Sequence, residues 1–318
     1  MSVTMPPQRP VEDDNPKKGG TRVSRGNAAA RKAKERLTSP WATAAAMIIA
    51  MLWTIPTVAL FMTSLVPGSR YRTDAWWTVM ADGDLTFGNF NQVLFDSFGD
   101  NSTAPPLLEY VFNSIVVTVP AVVFPLVLGM MAAYAFAWIP FRGSAFLFVL
   151  IFALQVVPLQ LALIPLLKLL GPENLGLAGQ FSGVWIAHTI FALPLAVFLL
   201  HNFVSHIPRE VLEAARVDGA SHTQIFFRII IPLSLPAIAS LAIFQFLWVW
   251  NDLLVSAVFG SADTYPLTYP ISNLAGDYGQ YAYLVPPAAF ISMIIPLIVF
   301  FSLQRYFVRG LLAGSSKG

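Results

Sequence analysis

Six long apolar stretches are the feature of this sequence that most restricts its fold. Each is about as long as the roughly 20 residues that a helix needs to cross the hydrocarbon core of a bilayer. Only 11% of the chain is charged, whereas soluble domains carry roughly 25%. Backbone groups inside a bilayer must pair within their own segment, which favours helices. The sequence therefore predicts an all-α integral membrane protein with six transmembrane helices, at about 41–65, 113–137, 145–169, 181–203, 234–258 and 285–307, of which the third is the least regular.

The basic residues lie mostly on one side of these predicted spans. With the N-terminus inside, the inner segments hold nine Lys and Arg residues in the tail 1–40, one between spans two and three, three between spans four and five, and three at the C-terminal end, where Arg305 stands at the inner end of span six and two others follow it. The rest of the chain's 19 are Arg70, Arg72 and Lys168. Positive loops stay in the cytoplasm, so a multi-pass protein of the cell membrane with both termini cytoplasmic is predicted. The tail 1–40 cannot bury a core and is predicted to be disordered, which leaves 41–318 as the membrane domain.

The segment 204–233 is the longest polar interruption in the second half of the chain, and it is predicted to form two short helices with a bend. Gly219 suits the bend, because it has no Cβ and tolerates a left-handed backbone. Ser221 and Gln224 have the spacing of a capping box, which starts a helix. Pro232 is expected to end that helix.

A DNA-binding helix-turn-helix is one interpretation of this segment. Such a module needs its own core and a basic surface, but three acidic residues balance the three arginines here, and both flanks enter predicted spans. An ordinary cytoplasmic loop is the stronger alternative. It requires neither helix caps nor the small residues Ala214, Ala215 and Ala220. Small residues on an exposed helix favour close docking of another protein.

Glu213, Ala214 and Ala215, followed by Gly219 and Pro232, resemble the EAA loop of permease subunits of binding-protein-dependent ABC importers. The fuller pattern is most similar to the carbohydrate branch, the maltose-permease type, and the resemblance covers about 41–318. Ile231 departs from the family pattern, which usually has Leu before the proline. The resemblance implies the type I ABC importer permease fold, with a coupling helix in 204–233 that sits in a cleft of an ATPase subunit. The residues implied in that coupling are Glu213, Ala214, Ala215, Asp218, Gly219, Phe226 and Pro232.

The C-terminal sequence extends the resemblance. The run 304–310 and the ending 314–318 are similar to the end of the sugar-importer subunits. In that family the tail reaches into the interface between the two ATPase subunits, which implies such a place for Gly310, Gly314, Lys317 and Gly318. The partners implied are a second, related permease, two ATPase subunits and an extracytoplasmic sugar-binding protein. ATP and Mg would be used by the ATPase subunits, and this chain would bind no cofactor.

Catalytic and metal-binding patterns are missing from the sequence. The chain has no Cys, and its four His residues lack the spacing of metal ligands. The glycines of 171–176 are spaced as in a phosphate-binding loop, but Leu177 stands where Lys is required. Nothing in the sequence therefore indicates an enzyme, and the resemblance implies a transport subunit, with no metal site and no nucleic-acid partner.

Polar residues at membrane depth are costly and usually face the protein interior or a water-filled path. Trp248 and Trp250 stand beside Asn251 and Asp252, which pairs aromatic faces with hydrogen-bonding groups and suits sugar rings. An interfacial aromatic belt with a carboxylate at a helix end is an equally good interpretation. In the resembling importers, moreover, the sugar site can lie mostly in the sister permease. The full set of candidates for a sugar path is Gln155, Gln160, Gln245, Trp248, Trp250, Asn251 and Asp252.

Three other functions compete with sugar import. The same architecture can move a different solute, against which the sugar-type C-terminal sequence argues. An ion-coupled secondary transporter would predict a membrane-embedded charged pair and internal repeats, whereas only Asp252 is found and no repeat is evident. A membrane-bound enzyme is disfavoured by the missing catalytic motifs.

Overall fold

The structure, a computed structural model, describes residues 40–97, 105–275 and 279–315, with side chains up to residue 304. The described backbone is helical, with no β-strand. The helices are α1 (Pro40–Ser64), α2 (Trp76–Ala81), α3 (Gly88–Phe95), α4 (Leu107–Trp138), α5 (Ser144–Leu154), α6 (Leu159–Leu170), α7 (Phe181–Val204), α8 (Arg209–Val217), α9 (His222–Ile225), α10 (Ile231–Trp250), α11 (Leu254–Phe259), α12 (Thr268–Asn273) and α13 (Val285–Ser315). A π-helical turn at Phe226–Ile230 joins α9 to α10, and a 3₁₀ turn at Ala282–Leu284 precedes α13.

In the described part of the chain, five helical runs are long and apolar enough to cross a membrane. They are Pro40–Ser64, Leu107–Trp138, Phe181–Val204, His222–Trp250 and Ala282–Gln304. The 32 residues of α4 extend over about 48 Å at 1.5 Å per residue. Because the hydrocarbon core is about 30 Å thick, this helix is long enough to project beyond it. The prediction of an all-α membrane fold is confirmed.

The third predicted span, 145–169, is not one straight helix. It consists of α5 and α6, whose axes are bent by 104° at the break between Leu154 and Leu159. Pro158 lies in this break with a ψ of 130°, and it disfavours the helical conformation of the residue before it. The count of crossings is therefore five, or six if the bent pair makes one span.

The fifth predicted span also has different ends. The prediction was 234–258, but α10 ends at Trp250 and α11 is a separate short helix. The end of the chain differs as well, since α13 continues to Ser315, past the predicted limit of 307.

The chain divides into two units, Met1–Ala59 and Leu60–Gly318. Within the second, the core is built by close approach of α4 and α7. A Cβ on Gly129 would lie 2.9 Å from the Cβ of Ala196, so the small residues allow the two backbones to come together. Many apolar side chains on the outside of the spans are exposed, as at Val127, Met131 and Phe301. Such surfaces suit lipid or another membrane subunit.

The connection after α1 is held by polar contacts. The buried amide of Asn89 on α3 donates to the carbonyl oxygens of Ser64, at 3.0 Å, and Val66, at 2.7 Å. Hydrogen bonds from Arg70 to Asp82 and Asp74, with Asp84 at 3.3 Å, close the loop. These carboxylates raise the pKa of Arg70 above its usual value, so its charge persists.

Candidate functional site: the polar segment between α7 and α10

Helix α8 stands at the surface and packs inward through the buried Leu212 and the half-buried Ala215. It starts after Pro208, which is the N-cap residue, and carries Glu210 in its first turn and Arg216 in its last. These charges complement the helix dipole. Leu212 is 1% exposed and packs with residues of α4 and α7, whereas Glu213 and Ala214 are exposed. The sequence analysis did not single out Leu212, and the pattern gives little signal for it, because Val211 and Val217 of the same helix are also apolar yet exposed.

The bend after α8 occurs at Gly219, as predicted. Its φ of +78° lies in the left-handed region, and no atom lies within 4 Å of the place where a Cβ would stand. The glycine is therefore required by the backbone conformation and not by a lack of space. Backbone N–H groups of Gly219 and Ala220 donate to Arg216, at 3.0 Å, and Ala215, at 2.9 Å. The N–H of Asp218 donates to the carbonyl of Ala214.

The predicted capping box is present at the start of α9. The Ser221 hydroxyl accepts from the N–H of Gln224 at 3.3 Å, and the Gln224 side chain accepts from the N–H of Ser221 at 2.8 Å. Two N–H groups that a helix start leaves unpaired are thereby satisfied.

The prediction that Pro232 ends this helix is wrong. The helical run continues from His222 to Trp250, and Pro232 lies in the first turn of α10. The π-helical turn at Phe226–Ile230 immediately precedes it. A proline removes one backbone donor and its ring crowds the preceding turn, so a locally wider turn accommodates the ring without ending the helix.

A shallow cleft of about 240 Å³ opens where the bend meets the restarted helix. It carries one carboxylate, one guanidinium and one amide beside two small residues and one larger apolar residue. The lining residues are Asp218, Gly219, Ala220, Gln224, Arg228 and Ile229. Of the residues singled out for coupling, Phe226 is half-buried in the core below the cleft, and Ala215 is half-buried beside it.

The residues considered for a sugar path fall into two groups. Gln155 and Gln160 are exposed at the break between α5 and α6. The other five lie on or just after α10. Two of these are buried and use their polar groups internally: Gln245 donates to the carbonyl of Ala121 at 3.2 Å, and the Trp250 indole donates to the carbonyl of Ser292 at 3.0 Å.

Asp252 lies just after the end of α10 and organises the short helix that follows. Its carboxylate accepts hydrogen bonds from the backbone N–H groups of Val255, at 3.3 Å, and Ser256, at 3.0 Å. The imidazole of His188 on α7 lies near Oδ2, the oxygen that accepts from Ser256. Trp248 packs edge-on against the imidazole ring, at 5.5 Å between centroids. Asn251 is exposed, and its amide donates to the carbonyl of Leu247.

The predicted tail residues are only partly described. The backbone of Gly310 and Gly314 is helical within α13, whereas Lys317 and Gly318 lie outside the described residues. The tail 1–39 lies outside them too. Among the described residues there is no group of His, Cys, Asp and Glu that could hold a metal ion.

Comparisons with known proteins agree with this architecture. Residues 125–312 match the family described as "Binding-protein-dependent transport system inner membrane component". The chain is 50% identical over 276 residues to the osmoprotective compounds uptake permease protein GgtD of Synechocystis sp., covering 86% of this chain and 90% of that one. It is also 50% identical over 228 residues to the alpha-glucoside transport system permease protein AglG of Rhizobium meliloti, covering 70% of this chain and 60% of AglG.

A solved structure shares the fold. It is a bacterial ABC transporter involved in the import of the acidic polysaccharide alginate, with a TM-score of 0.65, 23% identity, and coverage of 86% of this chain and 98% of that one. The helical spans and the exposed segment thus define a membrane-embedded transport subunit. The chain belongs to the family of inner membrane components of binding-protein-dependent transport systems. The predicted family is confirmed, and with it the prediction of a transport subunit rather than an enzyme.

Proposed function

We propose that this chain is the permease subunit of an ATP-driven importer that moves a carbohydrate, a mono- or oligosaccharide, handed over by an extracytoplasmic binding protein. The observation that carries the proposal is the exposed two-helix segment, whose bend and capping box are made by its own residues. It is anchored to the spans through Leu212 and through the helical run that continues from His222 to Trp250. A segment built in this way offers a rigid surface to a partner. The assembly would contain a second permease and two ATPase subunits, which would bind ATP and Mg.

The ATPase contact would lie on α8 and on the cleft beside it. Glu213 supplies an exposed charge, and Ala214 and Gly219 keep the surface low enough for a partner backbone to approach. The distribution of basic residues between the predicted inner and outer segments supports a cytoplasmic position for this segment and for both termini. The tail with Gly310, Gly314, Lys317 and Gly318 is proposed to reach the ATPase subunits from the end of α13.

The solute class rests on the relatives and on the polar residues at the end of α10. AglG is named for alpha-glucosides, and MelC of Bacillus subtilis, 30% identical over 275 residues, for melibiose, raffinose and stachyose. GgtD is named for osmoprotective compounds, which makes a small osmoprotective solute the second candidate. The exposed amides of Gln155, Gln160 and Asn251, with the half-buried Trp248, are the proposed solute contacts. The polar groups of Gln245, Trp250 and Asp252 would support that surface from within.

The test is co-purification of the tagged chain from its native membrane, followed by ATPase assays in lipid nanodiscs. We expect a second permease and an ATPase to co-purify, with hydrolysis stimulated by binding protein loaded with an α-glucoside. Stimulation by an osmoprotective solute alone would replace the carbohydrate by the second candidate. Solute uptake by the chain alone, driven by an ion gradient, would reject the importer.

Glu213→Ala tests the docking surface in the same preparation. Because Glu213 is exposed, the stability of the chain should change by less than about 0.5 kcal/mol. Less ATPase should be retained after washing in salt. Glu210→Ala removes the same charge from the same helix and serves as the matched control, and equal retention in the two variants would argue against a specific role of Glu213.

A further inference from the structure

One tyrosine of α4 contacts the C-terminal half of the polar segment, at helix α9. Tyr134 lies one turn before the end of α4, and its side chain is 5% exposed. Its hydroxyl lies 2.8 Å from Nδ1 of His222, the first residue of α9. The two residues are 88 positions apart in the chain. A membrane helix that is not adjacent in sequence is therefore bonded directly to the start of the second short helix.

The same tyrosine ring also contacts the end of α9. Its centroid lies 5.3 Å from that of Phe226, the first residue of the π-helical turn, and 6.1 Å from the ring of His222. Ile225, between these two residues, is buried in the same apolar cluster as Tyr134. Tyr134 thus holds α9 by a hydrogen bond at one end and by an aromatic contact at the other.

The end of α4 also contacts the N-terminal end of the polar segment. The indole N–H of Trp138, one turn after Tyr134, donates to the carbonyl of Val204 at 3.2 Å. Val204 is the last residue of α7, so this bond fixes the point from which the chain leads to α8. Two consecutive turns of α4 therefore bind both flanks of the polar segment.

The contact between Tyr134 and His222 matters because the covalent route from α9 to α10 passes through the π-helical turn. Along the chain, a displacement of α8 and α9 reaches the spans only through Val204 on one side and through Phe226–Ile230 on the other. A π-helical turn interrupts the regular α-helical hydrogen bonding and is frequent at functional sites, and in our proposal it is the place where displacement can be absorbed. The bond between Tyr134 and His222 bypasses it and joins the segment to α4 directly.

We propose that Tyr134 and His222 are positioning residues that make α4 move together with the polar segment. Their contact thereby sets how many ATP molecules are hydrolysed per solute transported. The proposal rests on the proposed docking of an ATPase on this segment. It adds that α4 moves with the polar segment, although α4 is separated from that segment by two spans in the chain.

The test compares variants of the complete transporter, with sister permease, ATPase subunits and binding protein, reconstituted in proteoliposomes. Tyr134→Phe removes only the hydroxyl, and His222→Ala removes its partner. Both should assemble with the ATPase and hydrolyse ATP at near the normal rate. Loss of one hydrogen bond that transmits the displacement should lower solute uptake by about two- to tenfold, and the ATP used per solute should rise by the same factor. His222→Asn keeps a polar atom close to the position of Nδ1, so it should retain much of the normal ratio.

Tyr283→Phe is the matched control. The Tyr283 hydroxyl donates to Oε1 of Gln92 at 3.2 Å, so this variant loses one tyrosine hydrogen bond elsewhere. Its ratio of ATP to solute should equal that of the unaltered protein, which separates coupling from a general loss of stability.

Two results would overturn the proposal. An unchanged ratio in both Tyr134→Phe and His222→Ala would show that the contact transmits nothing. Loss of the ATPase subunits from these variants would show that the contact builds the docking surface instead of transmitting its movement. Failure of the unaltered chain to assemble with any ATPase would be a different result, since it would reject the proposed function itself.

Discussion

Nε2 of His188 lies 3.7 Å from Oδ2 of Asp252, which brings the first half of α7 close to the residues just after α10. His188 is fully buried, and the Asp252 side chain is 9% exposed. The separation is too long for a hydrogen bond, and neither ring nitrogen of His188 has a hydrogen-bond partner among the described residues. An unpaired buried polar group costs about 1–3 kcal/mol. The imidazole is thus a local cost to stability, tolerated beside a carboxylate that has other partners.

Replacement of His188 by Leu should leave the protein at least as stable. The apolar side chain removes the unpaired nitrogens and still packs against Trp248, so we expect unchanged or higher stability, by up to about 1 kcal/mol. Thermal unfolding of the purified chain in detergent measures this change. His201→Leu, a histidine nearer the other end of α7 that packs on Phe148, is the control for replacing a histidine on this helix. A loss of more than about 1 kcal/mol in His188→Leu alone would mean that Nε2 bonds to Asp252 in the membrane.

Removal of the Asp252 carboxylate should loosen α11. In Asp252→Ala the N–H groups of Val255 and Ser256 lose their acceptor, and the loss of such a cap costs about 1 kcal/mol. Hydrogen exchange of α11 should accelerate by about fivefold, with little change in α7. Val255 and Ser256 donate to different oxygens of the carboxylate, so Asp252→Asn retains one of the two acceptors and should exchange at a rate between those of Asp252→Ala and the unaltered protein. Equal exchange in all three proteins would show that the cap does not stabilise this helix.

The close approach of α4 and α7 should make Gly129 intolerant of larger residues. A Cβ there would stand 2.9 Å from the Ala196 Cβ and 3.3 Å from the Ala196 carbonyl carbon. Overpacking of this kind costs about 1–3 kcal/mol, so Gly129→Ala should lower the unfolding temperature. The double variant Gly129→Ala with Ala196→Gly removes the opposing methyl and should recover part of the loss. No recovery would place the cost elsewhere than in this contact.

Substitutions of Gly219 can distinguish strain in the backbone of this chain from a steric clash with a docked partner. Since nothing lies within 4 Å of its missing Cβ, Gly219→Trp meets no steric clash within the chain, but its left-handed backbone costs about 1–2 kcal/mol. Gly219→Asn adopts that conformation more readily. We expect Gly219→Trp to lose the ATPase in co-purification while Gly219→Asn retains most of it. Normal assembly of the Trp variant would contradict docking at this bend.

Local features of the polar segment were predictable because their causes lie within a few residues. The capping box depends on Ser221 and Gln224 alone, and the bend depends on the missing Cβ of Gly219, so both appear in the structure as predicted. Pro232 was misjudged because the cost of a proline in a helix depends on the turn before it. That turn is π-helical here, which the sequence does not indicate. The break at Pro158 was missed for the opposite reason, since prolines within other spans, such as Pro120 and Pro125 in α4, leave those helices continuous.

The amino-acid sequence by itself determined the class of this protein. Long apolar runs can satisfy their backbone in a bilayer only as helices, and the polar segment between them carries the pattern of its family. Tertiary structure alone decided which distant residues meet. Tyr134 reaches His222, and His188 stands beside Asp252, because the crossing of α4 and α7 and the path of α10 bring these side chains together. Contacts between residues so far apart in the chain depend on the packing of whole helices, which no local pattern specifies.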